Sequence, residues 1–109
     1  MLNKIMMTGR ITTDLNLVTE EDYNYCKFSI AVDQSKRNGI DTIETDTFTC
    51  IAFDDNAKSV NFLYSKGGQI TFVGSLRKAP DNTVVIIVEE LHFQNRFAVK
   101  VDVDSDQLF

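Results

Sequence analysis

The apolar residues of this chain recur at every second position in five separate stretches, and at three- and four-residue steps in one. A period of two gives a strand with one face toward a core and one toward water; a helical period buries a stripe instead. In Lys4–Ile11, Ile5, Met7, Gly9 and Ile11 fall on one face and Lys4, Met6, Thr8 and Arg10 on the other. Tyr23–Val32 sets Cys26, Phe28, Ile30 and Val32 opposite Tyr23, Tyr25, Lys27 and Ser29. Thr42–Phe53, rich in β-branched residues, sets Phe48, Cys50 and Ala52 against Thr47, Thr49, Ile51 and Phe53. Gln69–Arg77, with Ile70, Phe72, Gly74 and Leu76 on one side, and Thr83–Phe93 complete the strands.

Between the third and fourth strands the period changes. Ala57, Val60 or Asn61, and Tyr64 follow helical steps, and Asp54 or Asp55 is placed to cap the first turn. Lys66-Gly67-Gly68 closes the helix, with a cation near its C-terminus and a glycine for a left-handed exit. Thr12–Asp22 is polar and acidic and reads as a loop. Gln34–Asp41 reads as a hairpin connection, and Ala79-Pro80-Asp81-Asn82 as a turn. The 109 residues suffice for one domain with a single core, and no repeat or low-complexity tract interrupts them. Three strands, one helix and two strands in this length predict an all-β fold with one helix: a five-stranded Greek-key barrel, the OB-fold, with the helix between strands 3 and 4. Other small barrels share the strand count. OB-folds bind oligonucleotides across strands 2 and 3, flanked by the 1–2 and 4–5 loops.

The formal net charge of −5 is unevenly spread. Asp102, Asp104 and Asp106 lie in the last eight residues, and without them 13 acidic residues face 11 basic ones. A body so near neutrality permits nucleic-acid binding only through a local basic surface. Cys26 and Cys50 sit inside alternating stretches without metal-ligand spacing, and are expected to be reduced and buried. No apolar run reaches the roughly 20 residues of a membrane span, and Met1-Leu2-Asn3-Lys4-Ile5 does not open like a signal peptide. A cytoplasmic protein without membrane association is the expectation.

Several segments resemble, in order, the bacterial and phage single-stranded-DNA-binding proteins. Asn3-Lys4-Ile5-Met6-Met7-Thr8-Gly9-Arg10-Ile11 is similar to their opening strand, Lys27-Phe28-Ser29-Ile30-Ala31-Val32 to their second, and Glu44 to Phe53 to their third. Ala57-Lys58-Ser59-Val60 with Leu63 and Lys66-Gly67 resembles the helix and its exit, and Val73-Gly74-Ser75-Leu76-Arg77 the fourth strand. Val101 to Phe109 is similar to the acidic tip by which that family recruits replication, repair and recombination proteins. The resemblance implies sequence-independent binding of single-stranded DNA, and dimers or tetramers built through an exposed first strand. The chain also departs from the pattern. Phe93 and Asp102 are only nine positions apart, where the family carries a long linker. There is no tryptophan; Thr47 and Lys36 stand where aromatics are frequent, and Asp54 and Asp55 where bases are common. These departures describe a compact variant, of the kind a phage or mobile element carries, with reduced affinity for DNA.

Single-strand binding needs flat apolar faces for unstacked bases and cations along the phosphate track. Phe53 is the first stacking candidate, its alternative being rim packing under the helix. Tyr25 and Tyr23 follow, with a subunit interface as their alternative. Lys4, Arg10, Lys27, Lys36, Arg37, Arg77 and Lys78 are the phosphate candidates; a single lysine is more often a solvated surface charge than a contact, and the cluster is more persuasive than its members. Asp102, Asp104, Asp106, Leu108 and Phe109 are the partner-binding candidates, although Phe97, Val99, Val101 and Val103 alternate and also fit a final strand. The boundary is drawn at 1–95 for the barrel and 96–109 for the connection and tip. His92 and the clusters Glu20-Glu21-Asp22 and Glu89-Glu90 lack the partners of a catalytic or metal site, so no enzyme, cofactor or metal is expected. The competing reading is an OB-fold protein-interaction adaptor with weak or no DNA binding.

Overall fold

The computed structural model describes residues 1–34 and 44–93. Its elements are β1 (Ile5–Ile11), β2 (Val18–Thr19), β3 (Asn24–Gln34), β4 (Glu44–Phe53), α1 (Asp54–Leu63), β5 (Gln69–Lys78) and β6 (Val84–His92). The five long strands and the helix are those expected from the sequence. The loop expected over Thr12–Asp22 differs: Val18 and Thr19 pair with Tyr25 and Asn24 as a short edge strand. Two residues are too few for a periodicity to be legible.

The sheet runs β1-β5-β6-β4-β3-β2, and β1 also pairs with β3 through Arg10↔Ala31 and Ile11↔Ile30. That second pairing closes the five long strands into a barrel, the OB-fold arrangement. All pairings are antiparallel except β4 with β6, where Cys50 faces Ile86 and Ile51 faces Ile87. Of the residues that alternation placed on one face, Ile11, Cys26, Phe28, Ile30, Cys50, Ala52, Ile70 and Phe72 are buried, and Ile86 and Val88 of β6 join them in the core. The helix caps this core with Ala57 and Val60.

The last strand breaks strict alternation. Val73 faces Glu90 but Gly74 faces Val88, so Glu89 is an extra residue on β6. This bulge changes parity, and Val88 and Leu91, three positions apart, both pack against the core. Beside it the β5 and β6 backbones come close, and a Cβ on Gly74 would meet the Ile87 carbonyl oxygen well under 3.0 Å away.

The helix ends also differ from expectation. Neither Asp54 nor Asp55 caps α1; the N-cap is Phe53, without a side-chain bond, and both aspartates lie in the first turn. There their charge still favours the positive end of the helix. At the other end Tyr64 is the extended C-cap and no basic residue lies in the last turn, so Lys66 follows the helix rather than completing it. The left-handed glycine is real but sits in the next turn: Gly67 has φ of +92°. Its N–H donates to the Ile11 carbonyl at 2.8 Å, while the Ile11 N–H donates to the Gly68 carbonyl at 2.9 Å. The turn after α1 is thereby tied to the end of β1.

Candidate nucleic-acid interface

The hairpin of β3 and β4 carries the candidate face. Its register runs from Tyr25↔Phe53 through Lys27↔Ile51, Ser29↔Thr49 and Ala31↔Thr47 to Asp33↔Thr45. These residues alternate with the buried Cys26, Phe28, Ile30, Cys50 and Ala52 and so face away from the core, although Ala31, flanked by β1 and β4, is itself buried. At about 3.3 Å per residue, the row from Tyr25 to Ala31 is roughly 20 Å long.

Three aromatics gather at one end. Tyr25 and Phe53 are cross-strand partners. Tyr23, from the connection between β2 and β3, places its ring centroid 6.0 Å from that of Tyr25 and 6.0 Å from that of Phe53. Tyr23 is 45% and Phe53 39% exposed. Tyr25 is half-buried. The cluster is held from below by the β3–β4 ladder and from the side by the turn, where the Glu20 N–H donates to the Tyr23 carbonyl at 2.8 Å. The Asn24 N–H donates to Oδ1 of Asp54 at 3.2 Å.

Lys27 is the nearest cation along the row, one side-chain step from Tyr25. The β5–β6 turn reaches the same flank. Asp81 there is held below the usual carboxylate range, chiefly by hydrogen bonds from the Thr83 side chain and backbone, with a smaller contribution from the charge of Lys27. The turn is well tied: the Ala79 N–H donates to the Thr83 carbonyl and the Asn82 N–H to the Ala79 carbonyl, each at 2.8 Å. Arg77 and Lys78, the last residues of β5, are exposed beside it. Arg10 lies at the far end of the row, paired with Ala31. It lines an open hollow of about 400 Å³ with Gly67, Gln69 and Asp33.

Lys4 does not join this set. It stands at the opposite end of β1 from Arg10 and is ion-paired with Glu89 of the bulge. Lys4 and Ser75 together hold the Glu89 carboxyl below its usual range by hydrogen bonding. The sequence carried no sign of that partner, because Glu89 lies 85 residues away and is aimed by an irregularity of β6. Lys36 and Arg37 lie outside the described residues, as do Asp102, Asp104, Asp106, Leu108 and Phe109 and the division between 1–95 and 96–109.

The surroundings are not uniformly basic. Glu20, Glu21, Asp22, Asp54 and Asp55 are exposed near the aromatic end. Among the described residues, no group of three or more His, Cys, Asp or Glu is arranged to hold a metal ion. No described helix is long and apolar enough to cross a membrane. His92 ends β6 opposite Thr71, with Nε2 3.4 Å from a Glu90 carboxylate oxygen. The bond from Asn24 to Asp54 was the feature the sequence reading missed. Its only signal is that aspartate, unlike most residues, tolerates a left-handed backbone, and Asp54 has φ of +51°.

A closed five-stranded barrel with aromatics on the β3–β4 face is an OB-fold of the kind built to present that face. The chain belongs to the single-strand binding protein family, whose profile matches residues 2–94. A single-stranded DNA-binding protein of Staphylococcus epidermidis is 31% identical over 77 residues, which are 71% of this chain and 59% of that protein. One from Borreliella burgdorferi is 32% identical over 78 residues, 70% of this chain and 52% of the relative. Single-stranded DNA-binding protein 1 of Staphylococcus aureus is 33% identical over 78 residues, 71% and 50% of the two chains. The matched region thus spans about half to three-fifths of the length of these curated relatives. Among solved structures, the second single-stranded DNA-binding protein of Mycobacterium smegmatis superposes with a TM-score of 0.68 at 20% identity, over 83% of this chain and 86% of that one. The SSB domain of a Synechococcus protein gives 0.69 at 8% identity, over 85% and 97%. Those two likenesses are likenesses of fold.

Proposed function

We propose that this protein binds single-stranded DNA without sequence preference across the outer face of β3 and β4. The observation that carries the reading is the cluster of the exposed Tyr23 and Phe53 with the half-buried Tyr25, at the head of a row that continues through Lys27. Unstacked bases rest on the rings, and Lys27, Arg77, Lys78 and Arg10 accompany the phosphates. Lys36 and Arg37 extend the set in the β3–β4 connection. Stacking reads π-faces rather than base edges, so preference among sequences is weak. Family membership supports the same reading.

A labelled oligo-dT titrated against duplex of equal length, at two salt concentrations, tests it. Tight, salt-sensitive binding to the single strand is expected, weakened by Phe53→Ala. Equal weak binding to both substrates, or none at low salt, sinks the reading. That result would favour the adaptor alternative, which has its own supporting observation in the exposed carboxylates around the aromatic end.

Within this reading the protein serves DNA replication, repair or recombination, and residues 96–109 recruit partner proteins through Asp102, Asp104, Asp106, Leu108 and Phe109. Deleting 102–109 is expected to leave the barrel folded and to tighten DNA binding at low salt, because three carboxylates that repel phosphates are removed. Assembly into dimers or tetramers fits the same picture. Among the described residues only Arg10 and Ile11 of β1 pair with β3, which leaves the Ile5–Gly9 edge for a symmetry mate. A monomer by light scattering would refute that part.

A further inference from the structure

We infer that Asp54 is a positioning residue for the aromatic platform: its carboxylate locks the Tyr23–Asn24 peptide so that the Tyr23 ring stays against Phe53. The inference rests on the reading of Tyr23, Tyr25 and Phe53 as the stacking surface. Tyr23 is the weakly supported member of the three. Tyr25 and Phe53 belong to long strands in a continuous ladder, whereas Tyr23 precedes β3 and its hairpin partner β2 has only two residues. What fixes its ring is the peptide that follows it. The carbonyl of that peptide, on Tyr23, accepts from the Glu20 N–H at 2.8 Å, and its N–H, on Asn24, donates to Oδ1 of Asp54 at 3.2 Å. Both polar atoms of one peptide unit are therefore held, one by its own turn and one by the residue directly after Phe53.

The backbone of Asp54 points to the same conclusion. Its φ of +51° is a left-handed value that most side chains avoid, adopted where β4 bends into α1. A glycine would meet that bend without strain but would offer no acceptor. Asparagine shares the conformational tolerance and keeps an Oδ1. The charge of Asp54 is thus separable from its hydrogen bond. The carboxylate sits beside the stacking surface and repels phosphates, a local opposition between shaping the platform and attracting DNA.

Four variants of the full chain separate these roles, each titrated with fluorescein-labelled dT30 and monitored for thermal unfolding. Asp54→Ala is expected to weaken binding about fivefold, the low end of one stacking contact, because the Tyr23 ring is present but unpinned. Asp54→Gly relieves the strained φ, so it is expected to lose affinity as the alanine variant does while unfolding no earlier than wild type. Asp54→Asn keeps the acceptor and is expected to bind at least as tightly as wild type at low salt. In Tyr23→Ala the loss caused by Asp54→Ala should vanish, since it acts through that ring, and only the gain from removing a carboxylate near the phosphates should remain. Amide exchange without DNA gives an independent reading: the Asn24 N–H is expected to be protected in wild type and Asp54→Asn, and exposed in Asp54→Ala. Additive losses in the double variant, undiminished binding by Asp54→Gly, or an unprotected Asn24 in wild type would each overturn the inference. If Phe53→Ala leaves binding unchanged, the site reading itself fails, and the exchange data still decide whether Asp54 holds the peptide.

Discussion

Replacing Gly74 with alanine is expected to be among the most damaging single-methyl additions to this barrel. The added Cβ would lie well under 3.0 Å from the Ile87 carbonyl oxygen and 3.1 Å from Cγ2 of Ile86. The Ile86 methyl can rotate away, but a carbonyl within a strand cannot. Relief therefore requires β5 and β6 to part beside the Glu89 bulge. Overpacking of a well-ordered interior costs about 1–3 kcal/mol, and backbone as the obstacle places this case near 3 kcal/mol. For a domain of this size that is a fall in Tm of roughly 12 °C. Urea unfolding followed by circular dichroism should show a lower midpoint with unchanged slope. Gly67→Ala is the matched control, since nothing lies within 4 Å of its Cβ and only the φ of +92° resists substitution. It should cost about 1 kcal/mol. An unfolding midpoint for Gly74→Ala at the wild-type value, or a larger loss for Gly67→Ala, would mean that the close β5–β6 approach does not govern this region.

Phe72→Ala, at a fully buried position, is expected to cost about 3–5 kcal/mol and to be visible as loss of cooperative unfolding at ordinary temperatures. Of the basic residues on the described face, Arg10, Lys27, Arg77 and Lys78 should together give log K against log salt a slope of about −3, at ~0.7 per contact, and Lys4→Ala should leave that slope unchanged; a slope reduced by Lys4→Ala would return that residue to the site. Asp81 and Glu89 have carboxyls lowered in the folded state, so their stabilisation is complete above the usual carboxylate range and is lost as pH falls through their depressed values. Glu89→Gln should flatten that acid limb in unfolding curves taken across it. Burial pushes the Cys50 thiol up to about 12, so the folded protein keeps a proton that the unfolded chain releases, and stability falls as pH rises above the ordinary thiol range. Neither Cys50 nor Cys26 should react with a thiol reagent until the barrel opens.

The barrel was legible because its strands are half-buried. Cys26, Phe28 and Ile30 alternate with Tyr25, Lys27 and Ser29, and a period of two assigns each set to its face without knowledge of the partner strand. The same logic put Tyr25 and Phe53 on the outer surface. It failed wherever geometry depended on residues distant in sequence. The Glu89 bulge reverses parity after the apolar run Val84–Val88, and Lys4 pairs with the bulged residue. Asp54 reads from the sequence as a helix cap, and its preference for Asn24 depends on how β4 bends. The union of Tyr23 with Phe53 required the register Tyr25↔Phe53, which a sequence only suggests.

The second pairing of β1 also governs how the protein can be made. In the closed order, β5 and β6 lie between β1 and β4, so two elements synthesised later bridge two that were finished earlier. A nascent chain that has emerged only as far as Leu63 holds the β3–β4 hairpin, with one edge of β4 and most of β1 still unpaired. Such edges are templates for association with other chains. During each round of synthesis, sealing them waits for residues 69–92, which makes the timing of the β5–β6 hairpin a determinant of yield as well as of structure.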